Sequence, residues 1–366
     1  MIARRLIPLA LVAGASLASA QSWRDGSVRM GPQFYSYKIK TPVNETVSQL
    51  AFPLFVTVPV LPQLAIDVGT AYATARYERR VDDSTVTTST MDGLTDTQVR
   101  ANYIIGQDFV VVTAGLNIPT GSATVTPGEL DAATRIGSDF LSFPISGFGS
   151  GFGMTAGAAI AQPAGGWNLG FATSMRYATE YEPFKDASGV VTKFTPGPEV
   201  RARIGADHAL GEGRISLGFT YSKFGDDKAN AVTFNTGDRF ITQAVINSTL
   251  KNGTDYTLVV WNLYRTSGTL INRSASPSAN ITSALMAFSI RAPADVGIEP
   301  SVETRVFTQQ HARTSFLANF GLRAYVNRGT WALVPGVGFS FGQMEAGSSA
   351  ATVTGTRATL AARIGW

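Results

Sequence analysis

The sequence predicts an all-β chain that crosses a membrane with its strands: a transmembrane antiparallel up-and-down β-barrel of about sixteen strands, within a range of about twelve to eighteen. Three observations carry this. Apolar and polar residues alternate with period two in one segment after another, and almost nothing has a helical period. The connections alternate between tight turns and long polar loops, as the two rims of an outer-membrane barrel require. The composition is 44% hydrophobic with only 15% charged residues, against about 25% charged in a typical soluble domain, yet no run beyond the first residues is long and apolar enough for a membrane helix.

Taken in order, residues 1–20 read as a cleavable signal peptide. Arg4 and Arg5 precede an apolar run from Leu6 to Leu17, and Ala18-Ser19-Ala20 offers the small residues that signal peptidase accepts. Residues 21–366 then form the barrel. The first strands, Val28 to Lys40 and Glu45 to Val58, alternate loosely, with Leu50, Phe52, Leu54 and Val56 on one face. Gln63 to Arg79, Thr97 to Ile105 and Asp108 to Ile118 follow, the second of these turning Val99, Ala101 and Tyr103 outward and Arg100 inward.

The later strands alternate more cleanly. Trp167 to Tyr181 sets Leu169, Phe171 and Met175 against Ser174 and Arg176; Glu199 to His208 sets Val200, Ala202 and Ile204 against Arg201 and Arg203. Ile215 to Ser222, Ile298 to Val306, Phe316 to Asn327 and Trp331 to Gly342 continue the rhythm, with Arg305 and Arg323 on polar faces. The last strand, Thr356 to Trp366, carries Ala358, Leu360, Ala362, Ile364 and Trp366 on one face and Arg357 and Arg363 on the other. A lipid-facing and a wet side on one strand explain that pattern. Trp167, Tyr181, Trp261, Tyr264, Tyr325 and Trp331 are placed to form interfacial girdles.

Tight turns fall at Gly106-Gln107-Asp108, Gly165-Gly166, Gly211-Glu212-Gly213, Asn252-Gly253 and Asn327-Arg328-Gly329. Longer polar loops are expected over Arg80 to Leu94, Glu182 to Gly197, Gly225 to Gly237, Thr266 to Ala279 and Gly342 to Gly355. The longest connection, residues 119–150, carries Glu129, Asp131 and Asp139, then Phe140, Phe143, Phe148 and Phe152 among glycines. A connection of this length is functional or disordered.

The final aromatic with its alternating Leu360 and Ile364 resembles the terminal signal of bacterial outer-membrane barrels, which implies the barrel-assembly machinery as a partner. The position of residues 119–150 resembles the third loop of sixteen-stranded porins, which folds into the lumen against arginines. That resemblance implies a constriction made by Glu129, Asp131 and Asp139 facing Arg100, Arg176, Arg201, Arg203, Arg305, Arg323, Arg357 and Arg363, with a transverse field that orients polar solutes. The other reading of these arginines is pairing with Glu180, Glu199, Glu299 and Glu303 to satisfy a polar interior. Asn117-Ile118-Pro119-Thr120-Gly121-Ser122, followed by Gly147-Phe148-Gly149-Ser150-Gly151-Phe152, resembles the family of outer-membrane transporters associated with meta-pathway phenol degradation. It implies uptake of apolar or aromatic compounds, with Phe140, Phe143, Phe148 and Phe152 as an apolar landing site.

Cys 0 and two histidines, His208 and His311, leave no cysteine chemistry and no histidine-rich metal centre. The net charge of +4 is not gathered into a basic patch with aromatics, so nucleic acid is not expected. The expectation is a Gram-negative outer-membrane channel in contact with lipid and lipopolysaccharide, passing a small-molecule solute without a cofactor, and ranging from monomer to homotrimer. The competing classes are a structural or adhesive barrel and a barrel-rim hydrolase, for which no nucleophile stands out.

Overall fold

The computed structural model of the protein describes residues 26–40, 43–80, 85–106, 110–292, 296–346 and 349–366. The signal-peptide reading, and Gln107 and Asp108 of one expected turn, lie outside these residues. Eighteen strand segments form one sheet; β1 (Ser27–Met30 and Gln33–Lys40) and β4 (Val86–Leu94 and Thr97–Ile105) each comprise two of them, which leaves a closed barrel of sixteen strands. The others are β2 (Asn44–Leu61), β3 (Leu64–Arg80), β5 (Val110–Ile118), β6 (Gly153–Ala164), β7 (Trp167–Ala178), β8 (Glu199–Leu210) and β9 (Gly213–Phe224). They continue with β10 (Arg239–Thr249), β11 (Asp255–Arg265), β12 (Ala279–Ala292), β13 (Val296–Gln309), β14 (Ser315–Arg328), β15 (Trp331–Ala346) and β16 (Ser349–Gly365). Every neighbouring pair is antiparallel, and β16 returns to β1 with Arg363 opposite Arg29 and Arg357 opposite Tyr35. Reciprocal backbone bonds of 3.0 Å between Gly26 and Trp366 finish the seam. Closure removes the free strand edges that an open sheet would present to lipid.

The outer surface has the belt that hydrocarbon demands. Val337 is 61% exposed, Ile364 52% and Trp366 60%, and they share that face with Phe171, Ile204, Phe320 and Leu322. Burial in a second protein layer would have hidden them; an apolar band about 25 Å tall surrounded by lipid accounts for them instead. This is a membrane-spanning β-barrel. Tyr221, Phe240 and Tyr264 stack in a row across three strands at one rim, with centroids 5.0 and 6.2 Å apart, while Trp331 and Trp366 mark the other rim. Three of the expected girdle residues belong elsewhere: Tyr181 lies beyond the end of β7, against Phe194 at 5.5 Å, and two face inward. Trp261 lies opposite Gln243 and Ser283 on the inner face of β11, and Tyr325 covers Gly297 on the inner face of β13.

The polarity of the wall inverts along the strands. In the lower half of β16 the outward residues are apolar and the inward ones include Arg357 and Arg363; higher up, Thr352, Thr354 and Thr356 point outward while Ala351 and Val353 are buried inside. The same exchange occurs on β3, where Arg76 and Glu78 face out and Ala73, Ala75 and Tyr77 face in, and on the first half of β4, where Thr88, Thr90 and Asp92 oppose Ser89 and Met91. These upper halves project beyond the lipid as sheet. That corrects two expected loops: Val86–Leu94 is strand, and β15 and β16 extend to Ala346 and from Ser349, so little of 342–355 is loop. The outward apolar signal ends where lipid ends, although the ladder continues. Arginine in place of Val337 should therefore cost about 2–4 kcal/mol, and in place of Thr354 about 0–1 kcal/mol; unfolding by urea in lipid vesicles measures both, and equal costs would contradict the boundary.

Candidate solute passage

The connection between β5 and β6 is built around a short helix, α1 (Leu130–Ile136), and it packs against the inner face of the wall. Ala132, Ile136, Phe140, Leu141, Phe143 and Phe148 are all buried, and they meet Tyr37, Val47, Ala73, Met91, Leu317 and Val353 of the wall. Phe143 meets Tyr37 edge-on at 5.3 Å, and Phe140 lies 6.2 Å from Phe307. This apolar cluster is what fixes so long a connection: its buried area offsets the ordering entropy that would otherwise leave it mobile.

Four polar clamps set its position. Asp96, in the break between the two segments of β4, accepts Asn117 Nδ2 at 2.7 Å, Ser150 N at 2.7 Å and Gly121 N at 3.2 Å, and so ties both ends of the connection to one carboxylate. The Gln49 amide, 1% exposed, donates to Ile145 O at 2.7 Å and accepts from Ile145 N at 3.0 Å. Arg305 donates to Phe140 O at 2.8 Å. Arg135 of α1 pairs with Glu45 at 2.5 Å.

The eight arginines do not form one cluster. Arg201 pairs with Glu199 at 2.6 Å, Arg305 with Glu303 at 2.7 Å, and Arg323 with Glu299. Glu180 instead meets Lys193 at 3.5 Å in an exposed loop contact. Arg100 lies across from Asp67, and Arg176 across from Glu199. Arg203 extends over Gly218, and Arg357 over Gly321 and Gly338, where a Cβ would collide with the guanidinium. Those inward glycines let long side chains lie flat against the wall rather than across the lumen. Arg363 sits at the seam opposite Arg29.

The acidic residues are also dispersed. Glu129 accepts from Thr126 N and Oγ1 at 2.8 and 2.7 Å, closing a local turn, and Asp131 occupies the first turn of α1. Asp139 borders a cleft of about 430 Å3 at the outer mouth, beside Phe140, Arg239, Leu263, Arg265, Ile281, Phe307 and Glu345. Phe140, Phe143 and Phe148 are at most 6% exposed, so they form the core that holds the connection rather than a surface landing site; Phe152 is half-buried. Asp96, Gln49, Arg239 and Arg265 did not stand out in the sequence. A carboxylate between two strand halves was the available signal for Asp96.

Above the short strands β7 to β9, residues Tyr181–Lys185, Val191–Thr195, Asp227–Ala229 and Val232–Phe234 make a small sheet that joins the same connection through a bridge from Val125 to Phe184. Burial pushes the Asp227 carboxyl up, partly opposed by its bond from Gly197 N at 2.8 Å. His208 stacks on Trp167 at 4.8 Å outside the barrel, with its Nδ1 on Gly166 O at 2.8 Å. Among the described residues, no group of three or more His, Asp or Glu side chains could hold a metal ion.

A closed barrel with a lipid belt and an inwardly packed connection defines the class. Within it, the family model described as "Putative MetA-pathway of phenol degradation" matches residues 43–266, and the chain belongs to that family. Among solved structures, the chain is similar to an anion-selective porin from Comamonas acidovorans, at 11% identity and TM-score 0.44 over 93% of this chain and 99% of that one. It is similar to the low-pH structure of OprB from Pseudomonas putida, at 10% identity and TM-score 0.45 over 93% of each chain. The CymD monoaromatic hydrocarbon channel is similar at 8% identity and TM-score 0.43, over 93% of this chain and 88% of that one. At such identities these likenesses say nothing about what this chain carries. Among curated protein sequences, none matches the chain.

Proposed function

We infer that this outer-membrane barrel passes small solutes by diffusion, without a chemical step, along a lumen narrowed by residues 119–150. One observation carries the reading: the inner face is covered unevenly. Val47, Ala51, Ala73, Ala75 and Val353 are wholly buried beneath or beside the connection, whereas the inward residues Gly157, Ala159, Gly170, Ala172, Gly205 and Gly218 of β6 to β9 stay accessible. Small side chains on that side leave room that a packed core would not. The family's link with phenol degradation favours an aromatic or otherwise apolar solute. A sixteen-stranded wall is wide enough to leave an aqueous path when one side is filled.

Arg201 and Arg203 lie on the accessible side and give the path its sign. Exchanging both for Glu should move the reversal potential in planar bilayers toward cations; an unmoved potential would exclude them from the path. Proteoliposomes offered an aromatic set of solutes and a charged-sugar set separate the preferences. Liposomes that admit neither, with bilayers that stay closed, would reject the channel.

A further inference from the structure

The outer mouth holds two arginines that face each other across one hairpin. Arg239, the first residue of β10, is directly opposite Arg265, the last of β11, and both face the 430 Å3 cleft. Like charges directly opposite in an antiparallel pair are destabilising. No ion pair joins either guanidinium to a carboxylate among the described residues. The Arg265 Nε is buried without a hydrogen-bond partner, and Arg239 rests its guanidinium on the Phe224 ring at 5.0 Å.

Register places a second layer immediately below. Ile241, Leu263, Ile281 and Phe307 are consecutive partners across β10 to β13, two residues deeper than the arginines. Two residues along a strand is about 6.6 Å, close to the span from a carboxylate to the far side of an attached six-membered ring. Phe140 of the lumenal connection stands against Phe307 and closes the side of this shelf. A cationic rung over an apolar rung matches an amphipathic anion in both order and spacing. Asp139 and Glu345 on the same rim oppose a second negative group.

We propose that the Arg239–Arg265 pair and the apolar rung beneath it form a capture site for aromatic monocarboxylates at the outer mouth. The pair takes the carboxylate, with Arg supplying forked donors, and Leu263, Ile281 and Phe307 take the ring. The inference rests on the channel reading only for what becomes of the solute afterwards; the binding itself does not need an open pore.

Equilibrium dialysis of the purified barrel in detergent micelles tests it with three probes: benzoate, acetate as a head without a body, and toluene as a body without a head. Benzoate should bind at least about tenfold more tightly than either. The double substitution R239Q/R265Q should weaken benzoate by roughly ten- to a hundredfold and leave toluene unchanged, while R239K/R265K restores part of the loss. Removing like charges from one hairpin should not unfold it, and the probe comparison on the unaltered protein stands without any variant. Acetate binding as well as benzoate, or benzoate undisturbed by R239Q/R265Q, overturns the site. Benzoate binding to a barrel that never conducts keeps the site and discards the channel; an open pore without benzoate binding does the reverse.

Discussion

Replacing Thr124 to Asp139 with a short Gly-Ser bridge should raise single-channel conductance severalfold. The segment contains α1, which lies on the inner faces of β2, β3 and β4, and with it would go Ala132 and Ile136, both almost completely buried. It would also remove the Arg135–Glu45 pair and the bond from Ser89 Oγ to Gly128 O at 2.6 Å. The wall does not depend on it, because the strand ladder around α1 closes on its own from β1 to β16. Current through a pore scales with its open cross-section, and the space vacated faces water once the helix is gone. Folded barrels of unchanged conductance would show that the connection lies beside the route and not in it. The clamp at Asp96 offers the graded version: Asp96→Ala leaves every residue of the connection in place but unties both of its ends, so current noise should grow before mean conductance does.

The barrel was legible in the sequence because lipid imposes a simple rule on every second residue, and that rule survives for as long as a strand is in the membrane. It failed at the strand tops for the same reason. Thr88, Thr90 and Asp92 meet water, so Val86–Leu94 resembles a polar loop until Ser89 and Met91 are seen to be buried inside. Trp261 was misjudged because an indole fits an interfacial girdle as well as a lumen wall; only its pairing with Gln243 and Ser283 decides. Arg201 and Arg305 take the glutamate two residues before them on their own strand, whereas Arg323 reaches across to Glu299, and one chain read alone does not rank Glu299 against Glu303 for Arg305. The mouth pair was closer to reach. Arg239 and Arg265 are equidistant from Asn252, so a hairpin folded at Asn252-Gly253 puts them face to face.

Removing Arg305 should be the most damaging single change in the barrel, at about 3–5 kcal/mol. Glu303 is 2% and Arg305 4% exposed, so neither charge has water to fall back on. Glu303 Oε1 accepts from Arg305 at 2.7 Å and from Ser283 Oγ at 2.8 Å, and Oε2 from Asn319 Nδ2 at 3.2 Å; Ser340 Oγ in turn donates to Asn319 at 2.5 Å. In Arg305→Met these neutral donors remain, but the carboxylate loses its only ion-pair partner among the described residues and the connection loses its bond to Phe140 O. Adding Glu303→Gln should recover most of the cost, since a neutral amide can keep the Ser283 and Asn319 contacts without a stranded charge. The exposed Lys193–Glu180 pair, with side chains 59% and 53% accessible, should by contrast be worth about 0–1 kcal/mol. Urea unfolding of these variants in lipid vesicles gives the comparison. If Arg305→Met and the double variant prove equally unstable, the loss comes from the anchor to Phe140 and not from the buried charge, and the two should then share the same rise in conductance.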